Sequence, residues 1–282
     1  MRWLVVGSAG MLGTDLLDVV AGDGYDVVGV DRGEVDITAP GGLGDYLEGR
    51  DVVVNCAAWT AVDEAENHEG QAFTLNATGA GLLASAAAAA GARLVQISTD
   101  YVFDGTATSP YPEDGPMTPR SAYGRTKAAG EWAVRALAPD HLVVRTAWLY
   151  GAHGRCFPKT IAAAGAQRGA LQVVDDQVGQ PTWTRDLADL IVRLVEAGAP
   201  AGTYHGTSSG AVSWWGFARE VVAAAGLDPQ IVAASRTEAG DRPAPRPAYS
   251  VLGHDALRRV GVEPIEDWAA RWTVAASQVL GS

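Results

Sequence analysis

Cysteine is scarce in this chain: 282 residues hold two, Cys56 and Cys156, far apart and without C-x-x-C spacing. That excludes a disulfide framework and a zinc site built on paired thiolates, and it points to a reducing, cytosolic setting. The five histidines lack the spacing of metal ligands, so no metal is expected. Basic residues are in deficit, 21 Lys and Arg against 33 Asp and Glu, for a formal charge of -12. A surface that collects nucleic-acid phosphate or anionic lipid needs clustered cations, so neither nucleic acid nor membrane is expected as a partner. Long apolar runs are missing too. The longest uncharged stretch, Gly70 to Ala92, is mainly Ala, Gly, Thr, Ser, Gln and Asn, and reads as a buried soluble helix. The N-terminus runs straight into an apolar strand without a signal-peptide h-region, so it reads as mature structure.

What is present is an ordinary globular balance, 48% hydrophobic and 19% charged. Short β-branched runs at Trp3–Val6, Asp26–Val30, Asp51–Val54, Leu94–Ile97 and Leu142–Val144 alternate with helix-length segments. Continuous apolar runs of that length suit strands covered on both faces, which predicts a parallel α/β sheet. A sixth run, Leu171–Val174, precedes a helix whose Leu187, Leu190, Ile191 and Leu194 repeat at helical spacing, predicting one more β-α unit. Beyond Gly206 come a helix capped by Ser213, a proline-rich stretch from Asp241 to Pro247 and an amphipathic helix over Trp268–Val279, read as a smaller lobe.

The first strand ends in Gly7-Ser8-Ala9-Gly10-Met11-Leu12-Gly13, a G-x-x-G-x-x-G turn opening onto a helix. Glycines let the backbone approach a pyrophosphate, and the helix N-terminus supplies N–H donors. Asp31 ends the second strand near the spacing expected of a ribose ligand. A dinucleotide is therefore expected. Asp31 favours NADH and the adjacent Arg32 favours NADPH, so both stay open. The fold class follows: α/β, a Rossmann-type doubly wound parallel sheet with a smaller, mainly C-terminal substrate-binding lobe. Residues 1–150 with about 171–206 are assigned to the cofactor domain, and about 151–170 with 207–282 to the lobe.

Tyr123 and Lys127 lie four apart at the start of a helical segment, so both project from one face. A nearby ammonium favours the phenolate and brings the phenol into range to exchange a proton with a substrate oxygen. Ser98-Thr99-Asp100 ends a strand, where open α/β sheets bind ligands.

Asn76, Thr99, Tyr123 and Lys127 with the glycine turn resemble the extended short-chain dehydrogenase/reductase pattern. The stretches from Asn55 to Glu66, Ser98 to Gly105, Arg145 to Gly151 and Asp176 to Thr182 narrow the resemblance to the dTDP-4-dehydrorhamnose reductase family, across nearly the whole chain. The resemblance implies NADPH- or NADH-dependent reduction of the C4 ketone of a dTDP-4-keto-6-deoxysugar, most of all dTDP-4-dehydrorhamnose to dTDP-L-rhamnose. It implies Thr99, Tyr123 and Lys127 as catalytic residues. Around the cofactor it places Gly7, Gly10, Met11, Leu12, Gly13, Asp31, Arg32, Asp36, Ile37, Ala57, Ala58, Thr60 and Asn76, together with Tyr123 and Lys127. Asp100, Tyr101, Trp148, Arg242 and Arg246 are its substrate candidates, the arginines for a nucleotide diphosphate. A homodimer is a further possibility.

Two departures stand out: Arg155 and Cys156 replace the family's polar amide before Phe157, and Arg185 argues against the metal site that some members carry at a dimer contact. Tyr101, where related dehydratases have Glu, argues for simple reduction. A 4-ketoreductase of antibiotic deoxysugar synthesis with another stereochemical outcome is the nearest alternative. A non-catalytic NADP-binding subunit resembling the methionine adenosyltransferase partner is the other, although it has no chemical need for Thr99, Tyr123 and Lys127 together.

Overall fold

A computed structural model describes residues 1–39, 41–238 and 242–281. Six parallel strands form the central sheet: β1 (Arg2–Val6), β2 (Asp26–Val30), β3 (Val52–Asn55), β4 (Arg93–Thr99), β5 (His141–Thr146) and a last strand, Gly202–His205. Across the sheet the order is Gly202–His205, β5, β4, β3, β1, β2. The order reverses between β1 and β3, which opens a crevice at their C-terminal ends.

The alternation within each strand builds two cores. Trp3 and Val5 of β1, with Val52, Val54, Val95 and Val144, face α1 (Met11–Gly22) and the helix Thr184–Glu196. Leu4, Val6, Val53, Leu94 and Val143 face the opposite way, onto α2 (Ala80–Ala89) and α3 (Ala122–Leu137). Both faces are therefore dry, as the continuous runs predict. The segment Glu69–Ala89 is apolar and long enough to cross a membrane by composition, yet its Leu83, Ala84 and Ala87 lie in the second core.

The run at Leu171–Val174 is a strand, but it does not extend the sheet as expected. It pairs in parallel with Val232–Ser235 to make a separate two-stranded sheet. That sheet packs with Ala218 and Val222 of the helix Trp214–Ala224. The sixth place in the main sheet goes to Gly202–His205, an edge strand whose Gly-Thr-Tyr-His carries no apolar run to announce it. Ser213 does cap its helix, accepting from the Gly216 N–H, and the final helix runs Trp268–Leu280 behind an Asp267 cap. Of the proline-rich stretch, Asp241 lies outside the described residues.

One polar cluster penetrates the core. Glu131 of α3 and Arg145 of β5 are both buried and form a bidentate pair, with Nε and Nη2 each 2.9 Å from a carboxylate oxygen. Ser98 Oγ donates to the same carboxylate at 2.6 Å, Arg135 adds a second guanidinium at 2.8 Å, and Arg145 Nη1 donates to the Glu113 carbonyl. A buried charge is tolerated only when it is bonded on all sides, and removing one partner of a buried pair costs about 3–5 kcal/mol. Arg145→Met is therefore expected to lower stability to urea by about that amount, whereas Arg145→Met with Glu131→Leu recovers most of the loss. A double variant no more stable than the single one would contradict this assignment.

Candidate functional site

The glycine turn sits in the crevice between β1 and β3. Gly7 has φ +81°, and a β-carbon there would stand 2.7 Å from the Ala57 nitrogen, so glycine alone fits between the two strand ends. A β-carbon at Gly13 would meet the Gly7 carbonyl oxygen at 2.3 Å. Gly10 is the N-cap of α1 and brings no side chain to the first turn, nor is any acid present there. The turn's Met11 and Leu12 begin α1, so a twelve-residue helix points its positive end into the crevice. This is the cradle a dinucleotide's pyrophosphate requires.

Asp31 closes the turn from β2: one carboxylate oxygen accepts from Ala9 N–H at 2.9 Å and the other from Arg32 N–H at 2.7 Å. Arg32 is exposed beside it. Asp36 is exposed and caps Thr38, and Thr38's backbone and hydroxyl hold its carboxyl below the ordinary range. Ile37 turns its side chain into the second core, against Gly79. Ala57 and Ala58 follow β3 and are half-buried, with Thr60 exposed beyond them.

Asn76 lies in a widened π-type turn, Thr74–Gly79. Its amide exchanges hydrogen bonds with the Trp59 backbone at 2.8 and 3.2 Å and donates to Thr126 Oγ1 at 3.0 Å. The side chain thus clamps the loop after β3 to α3, with its amide donors engaged within the protein.

β4 and β5 run in register through Thr99 and Thr146, and α3 crosses behind them. Thr99 caps a short turn, accepting from Tyr101 N–H at 3.2 Å and donating to Asp100 Oδ1 at 2.9 Å, and it reaches the Tyr123 phenol as well. Gly124 lets this happen: a β-carbon there would stand 2.2 Å from the Tyr101 carbonyl oxygen. Lys127 is buried and donates to the Ile97 carbonyl at 2.7 Å.

Burial pushes the Tyr123 phenol up to about 12, with the Thr99 hydrogen bond acting against it. The phenol therefore carries its proton at neutral pH. Burial also pulls Lys127 down to about 8, offset in part by Glu131 and Cys56.

On the substrate side, Tyr101 packs edge-on to Tyr123 at 5.6 Å and lines a cavity of about 680 Å³. Arg242 and Arg246 line it as well, but both meet Asp63: Arg246 at 2.8 Å and Arg242 at 3.5 Å. Arg246 is largely buried by this pairing, whereas Arg242 is exposed. Trp148 has φ +48°, and its ring is stacked on Trp214, 3.5 Å between centroids and 7° from parallel.

Sequence reasoning missed three participants. Asp63 holds the lobe's arginines, Glu66 accepts the Ala122 N–H at the start of α3 at 2.8 Å, and Trp214 covers Trp148. The first two lie inside a motif quoted above, but only the fold reveals their partners. Two other surface cavities, one of about 710 Å³ bordered by Asp18, Arg185 and Asp186 and one of about 670 Å³ bordered by Glu113, Arg135 and Arg145, share no lining residue with the cavity at Tyr101.

Asp100 carries the testable electrostatics. Its burial pushes the carboxyl from 3.8 up to about 6, against hydrogen bonds from Ser250 and Thr99. A raised carboxyl binds its proton more tightly folded than unfolded, so its contribution is full at acid pH and is lost as pH rises through about 6. Asp100→Asn removes this dependence. The stability of the variant relative to the parent, from urea melts at stepped pH, should rise between about pH 4 and pH 7; a difference independent of pH would contradict it.

The family model described as RmlD substrate binding domain matches residues 1–279. The dTDP-4-keto-6-deoxy-D-glucose reductase of Streptomyces niveus is 47% identical, over 97% of this chain and 96% of its own. The dTDP-4-dehydrorhamnose reductase of Streptomyces griseus is also 47% identical, over 96% of this chain and 92% of its own. Among solved structures, the dTDP-4-dehydrorhamnose reductase of Bacillus anthracis in complex with NADP is 35% identical with a TM-score of 0.93, covering 97% of this chain and 98% of that one. With the glycine cradle, the Thr99–Tyr123–Lys127 cluster and matches over the full length, this chain belongs to the RmlD substrate binding domain family.

Proposed function

We propose that this chain is an NADPH- or NADH-dependent oxidoreductase that reduces the C4 ketone of a dTDP-4-keto-6-deoxysugar, with dTDP-4-dehydrorhamnose as its main substrate and dTDP-L-rhamnose as the product. The observation that carries the chemistry is the half-buried Tyr123 set beside Thr99, at the end of β4 next to the glycine crevice. Full-length relatives at 47% identity support the substrate class.

The cofactor, when bound, supplies the hydride. The glycine turn, the α1 N-terminus and Asp31 would hold its pyrophosphate and ribose, and Lys127 would hold the nicotinamide ribose. Thr99 orients the ketone oxygen and Tyr123 gives it a proton. Arg242, more exposed than Arg246, meets the diphosphate. Tyr101 in place of a carboxylate leaves no acid there for elimination. The two Streptomyces relatives carry different substrate names, and this favours a second reading in which product stereochemistry differs. Free Cys56 and Cys156 accord with a cytosolic setting, and Phe73 and Trp132, exposed on neighbouring helices, accord with a homodimer.

Incubating the protein with reduced cofactor and a panel of dTDP-4-keto-6-deoxysugars should give oxidised cofactor and a C4 alcohol whose configuration NMR reads. Binding of cofactor without turnover of any of them would sink the reductase reading. Tyr123→Phe should retain cofactor affinity and lose about 10²-fold or more in turnover, as loss of a general acid does. Near-normal turnover in that variant would refute the role of Tyr123.

A further inference from the structure

Trp148 is the only non-glycine residue with positive φ among the described residues. Bulky side chains rarely take that conformation, and where they do the surroundings force it. Here the surroundings are Trp214 of the C-terminal lobe and Gly179. Trp148 stands two residues past Thr146, the register partner of Thr99, so the backbone there leaves the sheet next to the candidate site. Its ring lies flat on Trp214. Gly179 closes in on the indole: a β-carbon at that position would be 2.5 Å from Cε2 and 2.7 Å from Nε1. Gly179 and Trp214 are themselves tied together, because Val178–Gly179 pairs antiparallel with Val212–Ser213, the residues just before Trp214.

Trp214 is fixed from its other neighbours as well. Ser213 caps its helix and donates to Asp175 Oδ1 at 2.5 Å, and the Phe157 ring packs on Trp214 at 4.4 Å. What remains of Trp214 lines the 680 Å³ cavity together with Tyr101, Arg242 and Arg246. The cavity therefore has at one end Tyr101, which packs on Tyr123, a cationic side and one large aromatic wall.

Resting on the sugar-nucleotide reading above, we propose that Trp214 is the specificity-determining wall of the substrate cleft, with Trp148 as its strained bracket. The wall takes a flat apolar surface of the substrate, either the pyrimidine ring or the C–H face of the deoxysugar. Trp148 is a positioning residue in this arrangement: one of its faces is already covered, and its displacement would let the wall tilt.

Three variants test this, Trp214→Leu, Trp214→Phe and Gly179→Ala, each assayed for KM and kcat with the dTDP-4-keto-6-deoxysugar, for NADPH affinity, and for dTDP affinity by calorimetry. Losing an aromatic wall should raise KM roughly tenfold in Trp214→Leu, with kcat and NADPH affinity within about threefold of the parent, while Trp214→Phe stays within about threefold throughout. Gly179→Ala, which leaves Trp214 in place but drives into the Trp148 ring, should reproduce the KM increase. Weaker dTDP binding in step with KM assigns the wall to the pyrimidine, and unchanged dTDP binding assigns it to the sugar. Unchanged KM in Gly179→Ala, or a loss shared equally among KM, kcat and NADPH affinity, overturns the proposal; Gly179→Ala and Trp214→Phe decide it if Trp214→Leu does not fold. A parent protein that turns over no such sugar fails the functional reading instead; weaker dTDP binding in Trp214→Leu and Gly179→Ala then still supports the wall, and dTDP binding unchanged in both overturns it.

Discussion

A buried carboxylate sets the geometry of this molecule. Glu131 is out of water on α3, and its charge is satisfied by Arg145 of β5, Ser98 of β4 and Arg135 one turn further along its own helix. Such a group cannot slide or turn without leaving a charge uncompensated in the core. Lys127 and Tyr123 lie four and eight residues before Glu131, on the same helical face. Pinning Glu131 therefore pins both against the ends of β4 and β5, and the Lys127 bond to the Ile97 carbonyl is a second pin in the same row. The contact between Tyr123 and Thr99 is the far end of that row.

The lobe is attached by the same logic of satisfied polar groups. Buried Gln180 accepts from Leu252 N–H at 2.8 Å and from Thr207 Oγ1 at 3.0 Å, and donates back to the Leu252 carbonyl at 3.2 Å. Asp63, just after the crevice, draws in Arg246 and Arg242 from the opposite side. The cleft between these attachments is lined by Tyr101, Trp214 and the arginines. Its walls thus come from segments more than 140 residues apart in the chain, held by hydrogen bonds whose partners have no sequence signature.

Much of this was legible beforehand, for identifiable reasons. The five runs from Trp3 to Val144 announce strands because each is buried on both faces, and the glycine turn announces its crevice because Gly7 and Gly13 leave no room for a β-carbon. Gly202–His205 and Val232–Ser235 went unannounced, being short strands of small or polar residues at sheet margins. Leu171–Val174 was recognised as a strand but assigned to the wrong sheet, since an apolar run states only that it will be covered and not by what.

The sequence by itself determined the parallel α/β core, the dinucleotide turn and the pairing of Tyr123 with Lys127 on one helical face, because these depend on local periodicity and on steric demands of single residues. Only the tertiary structure decided what those residues do to one another. Burial raises the Tyr123 phenol, Asp63 claims the arginines and Trp214 covers Trp148. Desolvation and long-range partner choice depend on which surfaces meet, and no local pattern encodes that.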